Sequence, residues 1–210
     1  MKYVIIALGL SLGLVHAATA GDAASGRGKT EICVACHGVD GNIAATAFPK
    51  LAGQNEKYLH KQLKDIQSGL RPVPTMAGQL DNMDDGDLAD IAAYYASQTA
   101  SGGQTDPAKL ALGQAIYRAG INEIGVAACS SCHGPRGNGN APAGFPALAG
   151  QHAEYLVSQL RRFRTGSEYT LEDNPEARTN DGDGRMMRDV AARLSDREIN
   201  AVASYLAGLH

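Results

Sequence analysis

The chain has no tryptophan and only three phenylalanines in 210 residues. Large rings usually fill the cores of small domains, so a chain that is 44% hydrophobic but 5% aromatic lacks its customary core filler. A basic excess is also missing. The 19 Lys and Arg stand against 22 Asp and Glu with no basic block among them, which excludes a nucleic-acid partner. Past residue 15 no apolar run approaches the roughly 20 residues that a membrane-spanning helix needs. Cysteine is scarce as well: there are four, confined to two short stretches.

The chain begins MKYVIIALGLSLGLVHAATA, with Lys2, an apolar run from Tyr3 to Val15 and the small triplet Ala18-Thr19-Ala20. This pattern predicts a secretory signal peptide over residues 1–20, cut after Ala20. The rival is an uncleaved anchor, for which the run is short. Export predicts a soluble mature protein of residues 21–210, with 18 basic against 22 acidic side chains.

An internal repeat organises this mature part. CVACHGVDGN (33–42) aligns with CSSCHGPRGN (129–138) at an offset of 96, and FPKLAGQNEKYLHKQLKDIQSG (48–69) aligns with FPALAGQHAEYLVSQLRRFRTG (145–166) at 97. TMAGQLDNMDDGDLADIAAYY (75–95) matches MMRDVAARLSDREINAVASYL (186–206) at 111, so the second unit carries 14 extra residues within SEYTLEDNPEARTNDGDGR. Two domains of one kind are expected, at 21–100 and 107–210. They are joined across residues 101–106, within a Ser-, Gly- and Thr-rich stretch.

Each unit reads as helical. Asp22 is placed to cap a helix running into Cys33, and Asp106-Pro107 is an N-cap followed by a first-turn proline. Tyr58, Leu59, Gln62, Leu63 and Ile66 recur at helical spacing up to Gly69, a C-terminal stop. Final helices are expected from Asp84 and from Ser195, the latter opening a capping box. Their buried stripes would be Leu88, Ile91, Ala92 and Tyr95, and Ile199, Val202, Ala203 and Leu206. The predicted fold is all-α, twice over.

Cys-x-x-Cys-His is the pattern of c-type haem attachment. Two thiols three residues apart can add to the vinyl groups on one haem edge, and the adjacent histidine can then ligate the iron. Haem also supplies the large apolar disc that the composition lacks. The alternatives fit less well. A four-cysteine zinc site expects pairs about 15–20 residues apart, whereas Cys36 and Cys129 lie in separate repeats. A thioredoxin-like dithiol expects a βαβ setting, and disulfides within each motif leave the repeated histidines unexplained.

For the opposite axial position the candidates are Met76, Met83, Met186 and Met187, and the repeat selects among them. Met76 aligns with Met187, whereas Met83 aligns with Leu194 and Met186 with Thr75. Met83 and Met186 are left as core filler. His60 pairs with Val157 and His152 with Asn55, so neither histidine is repeated; His16 lies in the leader and His210 is terminal. Asp181-Gly182-Asp183-Gly184 does not hold the register of a calcium-binding EF-hand and reads as a solvated loop.

These motifs, with both FPxLAGQ segments, RTNDGDGRMMRDVAARLSD and the closing YLAGLH, resemble the dihaem cytochrome c4 family, two class I cytochrome c domains in tandem. The resemblance covers the whole mature chain. It implies two cytochrome c-like domains, each wrapped around one covalent haem c. Cys33, Cys36 and His37 would hold the first, with Met76 distal, and Cys129, Cys132 and His133 the second, with Met187 distal. It also implies that the carbonyls of Pro49 and Pro146 accept the proton on the other histidine nitrogen. RPVPTMAGQL is shorter than its counterpart in the second unit, so Met76 is the less firmly indicated ligand.

Such a protein carries electrons and is not an enzyme. It would take them from a quinol-oxidising complex or another cytochrome and pass them to a terminal oxidase, with peripheral contact to the membrane surface left open. A dihaem peroxidase-like oxidoreductase, the alternative, needs one displaceable axial ligand, and an oxidase-embedded subunit would keep its anchor. Residues 21–105 hold 7 basic and 10 acidic side chains, residues 106–210 hold 11 and 12. The less negative second unit disfavours oxidised iron, which predicts the higher potential for its haem.

Overall fold

The computed structural model describes residues 21–209; residues 1–20, where a signal peptide is expected, and His210 lie outside them. In the first unit the helices are α1 (Ala23–Lys29), α2 (Val34–His37), α3 (Glu56–Gln67) and α4 (Asp85–Ala96). The second unit has α5 (Pro107–Ala119), α6 (Ser130–His133), α7 (Ala153–Glu168), α8 (Met186–Ala191) and α9 (Asp196–Ala207). No sheet forms among the described residues; the strand-like pairings are isolated bridges, Ile121 with Val126 and Asn140 with Phe145. No described helix is long and apolar enough to cross a membrane.

The boundaries follow local chemistry. Asp106 accepts from the Ala108 amide with Pro107 in the first turn of α5. Ser195 and Glu198 form the expected capping box on α9, and Asp84 and Asp87 form a second one on α4. Asp22 caps α1 through the Ala24 amide, but α1 ends at Lys29 instead of running into Cys33. There Thr30 turns the chain: its hydroxyl donates to the Arg27 carbonyl, and its own carbonyl accepts from the Cys33 and Val34 amides.

In each unit the first helix crosses the last, α1 on α4 and α5 on α9. Glycine makes both crossings possible. A Cβ on Gly26 would sit 2.0 Å from the Asp90 carbonyl oxygen, and one on Gly113 would sit 2.2 Å from that of Ala201. The expected stripes are buried beneath: Leu88, Ile91, Ala92 and Tyr95 in one unit, Ile199, Val202, Ala203 and Leu206 in the other. They form cores that the Cys-x-x-Cys-His segments face. Cys33 packs on the cluster of Leu59, Ile91, Ala92, Tyr94 and Tyr95, and Cys129 on that of Ile116, Tyr117, Leu156, Val202, Ala203, Tyr205 and Leu206.

The two units meet through their repeated FPxLAGQ segments. Gln54 reaches across to the backbone of Ala147, and Gln151 reaches back to that of Lys50. These residues correspond at the repeat offset of 97, so each contact has its mirror image. Further along the interface Arg71 donates to Tyr155 and Gln159, while Arg178 donates to Tyr58 and Gln62.

Candidate functional site

Each Cys-x-x-Cys-His segment closes into a single helical turn, α2 or α6, followed by a glycine at positive φ, Gly38 at 78° and Gly134 at 77°. One turn is enough to bring the first cysteine and the histidine onto neighbouring faces. No disulfide joins any of the four cysteines; Cys33, Cys36 and Cys129 are half-buried and Cys132 is exposed. Burial pushes the Cys33 thiol above its ordinary value and that of Cys129 up to about 11. Among the described residues no three His, Cys, Asp or Glu gather as they would around a metal ion, so the four cysteines do not build the zinc site weighed above.

His37 and His133 are buried. Nδ1 of His37 lies 3.0 Å from the Pro49 carbonyl oxygen, and Nδ1 of His133 lies 3.0 Å from that of Pro146. A carbonyl can only accept, so Nδ1 carries the proton and the lone pair is left on Nε2. Burial holds both imidazoles below their ordinary pKa, against the opposing pull of those carbonyls, which keeps them neutral as a metal ligand requires. The rings of Phe48 and Phe145 stand at 6.2 and 6.3 Å from the two imidazoles, so the repeated Phe-Pro pair shapes each histidine from two sides.

Met76 lies half-buried in a short 3-10 turn, Pro74–Met76, and Met187 half-buried in α8. Met83 packs against the first core as filler. Met186 does not; it is 51% exposed. It is the first residue of α8, and its exposure corrects the expectation of core filler. His60 bonds to Asp85, and His152 spans the interface to the Ile43 carbonyl at 2.8 Å.

The acidic loop is corrected at Asp181, while Gly182, Asp183 and Gly184 are exposed as expected. Asp181 is not a solvated loop residue: its side chain is 6% exposed, and it binds Arg188 Nε at 2.6 Å. Its other oxygen accepts from the Met187 and Arg188 amides at 3.1 and 2.9 Å, which caps α8. The sequence signal was an aspartate five residues before a helix start, too far for an ordinary cap.

Haem fits these residues. Each unit offers two thiols, a neutral imidazole with a free Nε2 and a half-buried thioether. The Tyr95 hydroxyl is buried without a hydrogen-bond partner, and burial with the nearby Cys33 thiol raises its pKa. Arg71 and Arg178 are 8% and 6% exposed and are bound mainly by neutral oxygens, with Asp65 a nearby carboxylate. Buried guanidiniums of this kind favour anions, and haem carries two carboxylates.

Comparison with known proteins agrees. The cytochrome c family model matches residues 27–99 and again 110–210. A cytochrome c4 of Pseudomonas aeruginosa is 51% identical over the full length of both chains, and one of Azotobacter vinelandii is 49% identical over 98% of this chain and 96% of its own. The crystal structure of reduced recombinant cytochrome c4 from Pseudomonas stutzeri superposes with a TM-score of 0.85 at 50% identity, covering 91% of this chain and all of that one. The chain therefore belongs to the cytochrome c4 family of dihaem electron-transfer proteins, two tandem cytochrome c domains with one covalently bound haem c in each.

Proposed function

We propose that the chain is a periplasmic electron carrier whose two irons are each held by one histidine and one methionine. The supporting observation is the repeated geometry at His37 and His133, where a proline carbonyl accepts the Nδ1 hydrogen bond and leaves the lone pair on Nε2. Cys33 and Cys36 would attach the first haem and Cys129 and Cys132 the second, with His37 and His133 proximal and Met76 and Met187 distal. When bound, each haem supplies a one-electron ferric–ferrous couple. With His37 and Met76 on one iron and His133 and Met187 on the other, the polypeptide would supply every protein donor and leave no position for a substrate. Thioether sulfur favours the reduced state and raises the potential, which suits a carrier late in a respiratory chain.

The domains are taken as 21–100 and 107–210 with the linker at 101–106, after a leader cut at Ala20. The donor would be a quinol-oxidising complex or another cytochrome, and the acceptor a terminal oxidase.

Replacing Met76 or Met187 by alanine tests the ligation. Each substitution is expected to abolish the methionine–iron absorption band of its own haem and to let carbon monoxide bind that reduced centre. A spectrum left unchanged by either substitution would remove that methionine from the ligand set. The peroxidase-like reading predicts an unmutated protein in which one reduced iron already binds carbon monoxide.

A further inference from the structure

The Pro49–Lys50 peptide group is shared between the two domains. Its carbonyl accepts from His37 Nδ1 at 3.0 Å, and its N–H donates to Oε1 of Gln151, in the other domain, at 2.9 Å. The Pro146–Ala147 peptide repeats the arrangement in reverse, with its carbonyl on His133 Nδ1 at 3.0 Å and its N–H on Gln54 Oε1 at 2.7 Å. Each glutamine also donates through Nε2 to the next carbonyl, Gln151 to Lys50 and Gln54 to Ala147, both at 2.9 Å. The amide orientation is fixed by these partners, since an oxygen must face the N–H and the NH2 must face the carbonyl. Both glutamines are 8% exposed, so their bonds are not diluted by water.

We infer that Gln54 and Gln151 are positioning residues, each of which tunes the haem potential of the domain opposite its own. The inference rests on His37 and His133 being the iron ligands. An N–H that donates to an acceptor polarises its peptide, and hydrogen bonds in such a chain strengthen one another by about 10–30%. The proline carbonyl then pulls harder on the Nδ1 proton, and the imidazole becomes a more basic ligand. A more basic ligand stabilises ferric iron, so each glutamine lowers the potential across the interface. Hydrogen bonding behind an axial ligand is a recognised way in which a protein sets a haem potential.

The arrangement gives a reason for the LAGQ repeat that helix packing does not. Gln54 and Gln151 stand just before α3 and α7. Besides the peptide of the other domain, each oxygen accepts a local amide, Asn55 at 2.9 Å or His152 at 3.0 Å. Each amide thus joins the start of its own helix to the peptide behind the other histidine. The potential of either haem should therefore depend on the two domains being docked.

The test uses the full-length dihaem protein. Potentials resolved by haem, together with NMR of the two Nδ1 protons, are compared for Gln151→Met, Gln54→Met, Gln151→Glu and the interface control Thr46→Val. Thr46 bonds to Glu154 across the same interface without touching either relay. Gln151→Met should favour reduction of the N-terminal haem several-fold, where a tenfold change is about 59 mV for one electron, and leave the C-terminal haem in place. Gln54→Met should do the reverse.

Gln151→Glu keeps the acceptor and adds negative charge, so it should shift the N-terminal haem the opposite way from Gln151→Met. If Gln→Met variants fail to fold, the sign of the Gln151→Glu shift decides. Shifts in the variant's own domain, equal shifts in both haems, a like shift from Thr46→Val, or none at all would overturn the inference. Failure of the ligation itself reads differently: the ferric protein would then show no hyperfine-shifted imidazole from His37 or His133.

Discussion

The two methionine segments are the least alike parts of an otherwise repeated molecule. Met76 lies in a compact turn whose bonds are local: its amide donates to the Val73 carbonyl and its carbonyl accepts from Gln79. From outside, Gln67 pins the turn's far end through the Leu80 and Met83 carbonyls at 2.7 and 2.8 Å. Proline at 72 and 74 restricts the backbone before any such bond forms. Met187 is held by charge instead. Asp181 caps its helix and pairs with Arg188, Arg188 bonds to the Gly182 carbonyl, and Arg185 to that of Ser167. Arg185 itself takes a left-handed φ of 47°, a strained conformation for a residue with a Cβ. A short loop can be stiffened by proline, whereas one with 14 extra residues needs a buried ion pair.

The difference predicts unequal damage. Removing one partner of a buried ion pair typically costs about 3–5 kcal/mol because the other charge is stranded. Asp181→Ala should therefore destabilise the C-terminal domain on that scale and, on the proposed ligation by Met187, weaken the methionine–iron band of its haem. Gln67→Ala removes two bonds to exposed or half-exposed groups and should cost only about 1 kcal/mol. Denaturant unfolding with the absorption band followed separately for each haem would rank them. Equal costs, or a larger one for Gln67→Ala, would mean that the Asp181 pair does not hold Met187.

Much of this was legible beforehand. The repeat, the caps at Asp22, Asp106 and Ser195, the buried stripes and the proline carbonyls behind both histidines all came from local spacing or from family pattern. The end of α1 was not legible, because Thr30 can continue a helix or turn it, and the choice depends on how Cys33 must meet the core. Asp181 was misread for a related reason: its partner Arg188 lies beyond a glycine-rich turn that spacing rules treat as unstructured. Gln54 and Gln151 stood out as a matched pair, yet their purpose needs the other domain's backbone, which no window of sequence contains.

A second contrast is the overall charge. The N-terminal half carries three more acidic than basic side chains and the C-terminal half one more, and negative surroundings stabilise ferric iron. The C-terminal haem should therefore have the higher potential, by a modest margin because most of these charges lie at the screened surface. A titration that resolves the haems and finds the opposite order would show that local ligand bonding outweighs net charge.

The smallest expected difference concerns the helix crossings. Lys29 on α1 binds Asp87 and Asp90 on α4, each at 2.7 Å, whereas α5 and α9 are joined by uncharged or half-charged contacts, Arg118 to the Tyr205 hydroxyl and the Asp106 amide to Ser204. Lys29 holds the Asp87 and Asp90 carboxyls below their ordinary pKa, and they in turn raise that of Lys29. Depressed carboxyls contribute stability that is present above about pH 4 and is lost as pH falls through their folded values. The raised lysine contributes below its own ordinary value and is lost only as pH rises through the folded one. On acidification α1 should therefore loosen from α4 before α5 loosens from α9, seen as earlier loss of amide-exchange protection. All three side chains are partly exposed, so salt should blunt the effect. Lys29→Met should bring the two crossings to the same acid sensitivity, whereas a difference that survives the substitution would place its origin in the cores beneath.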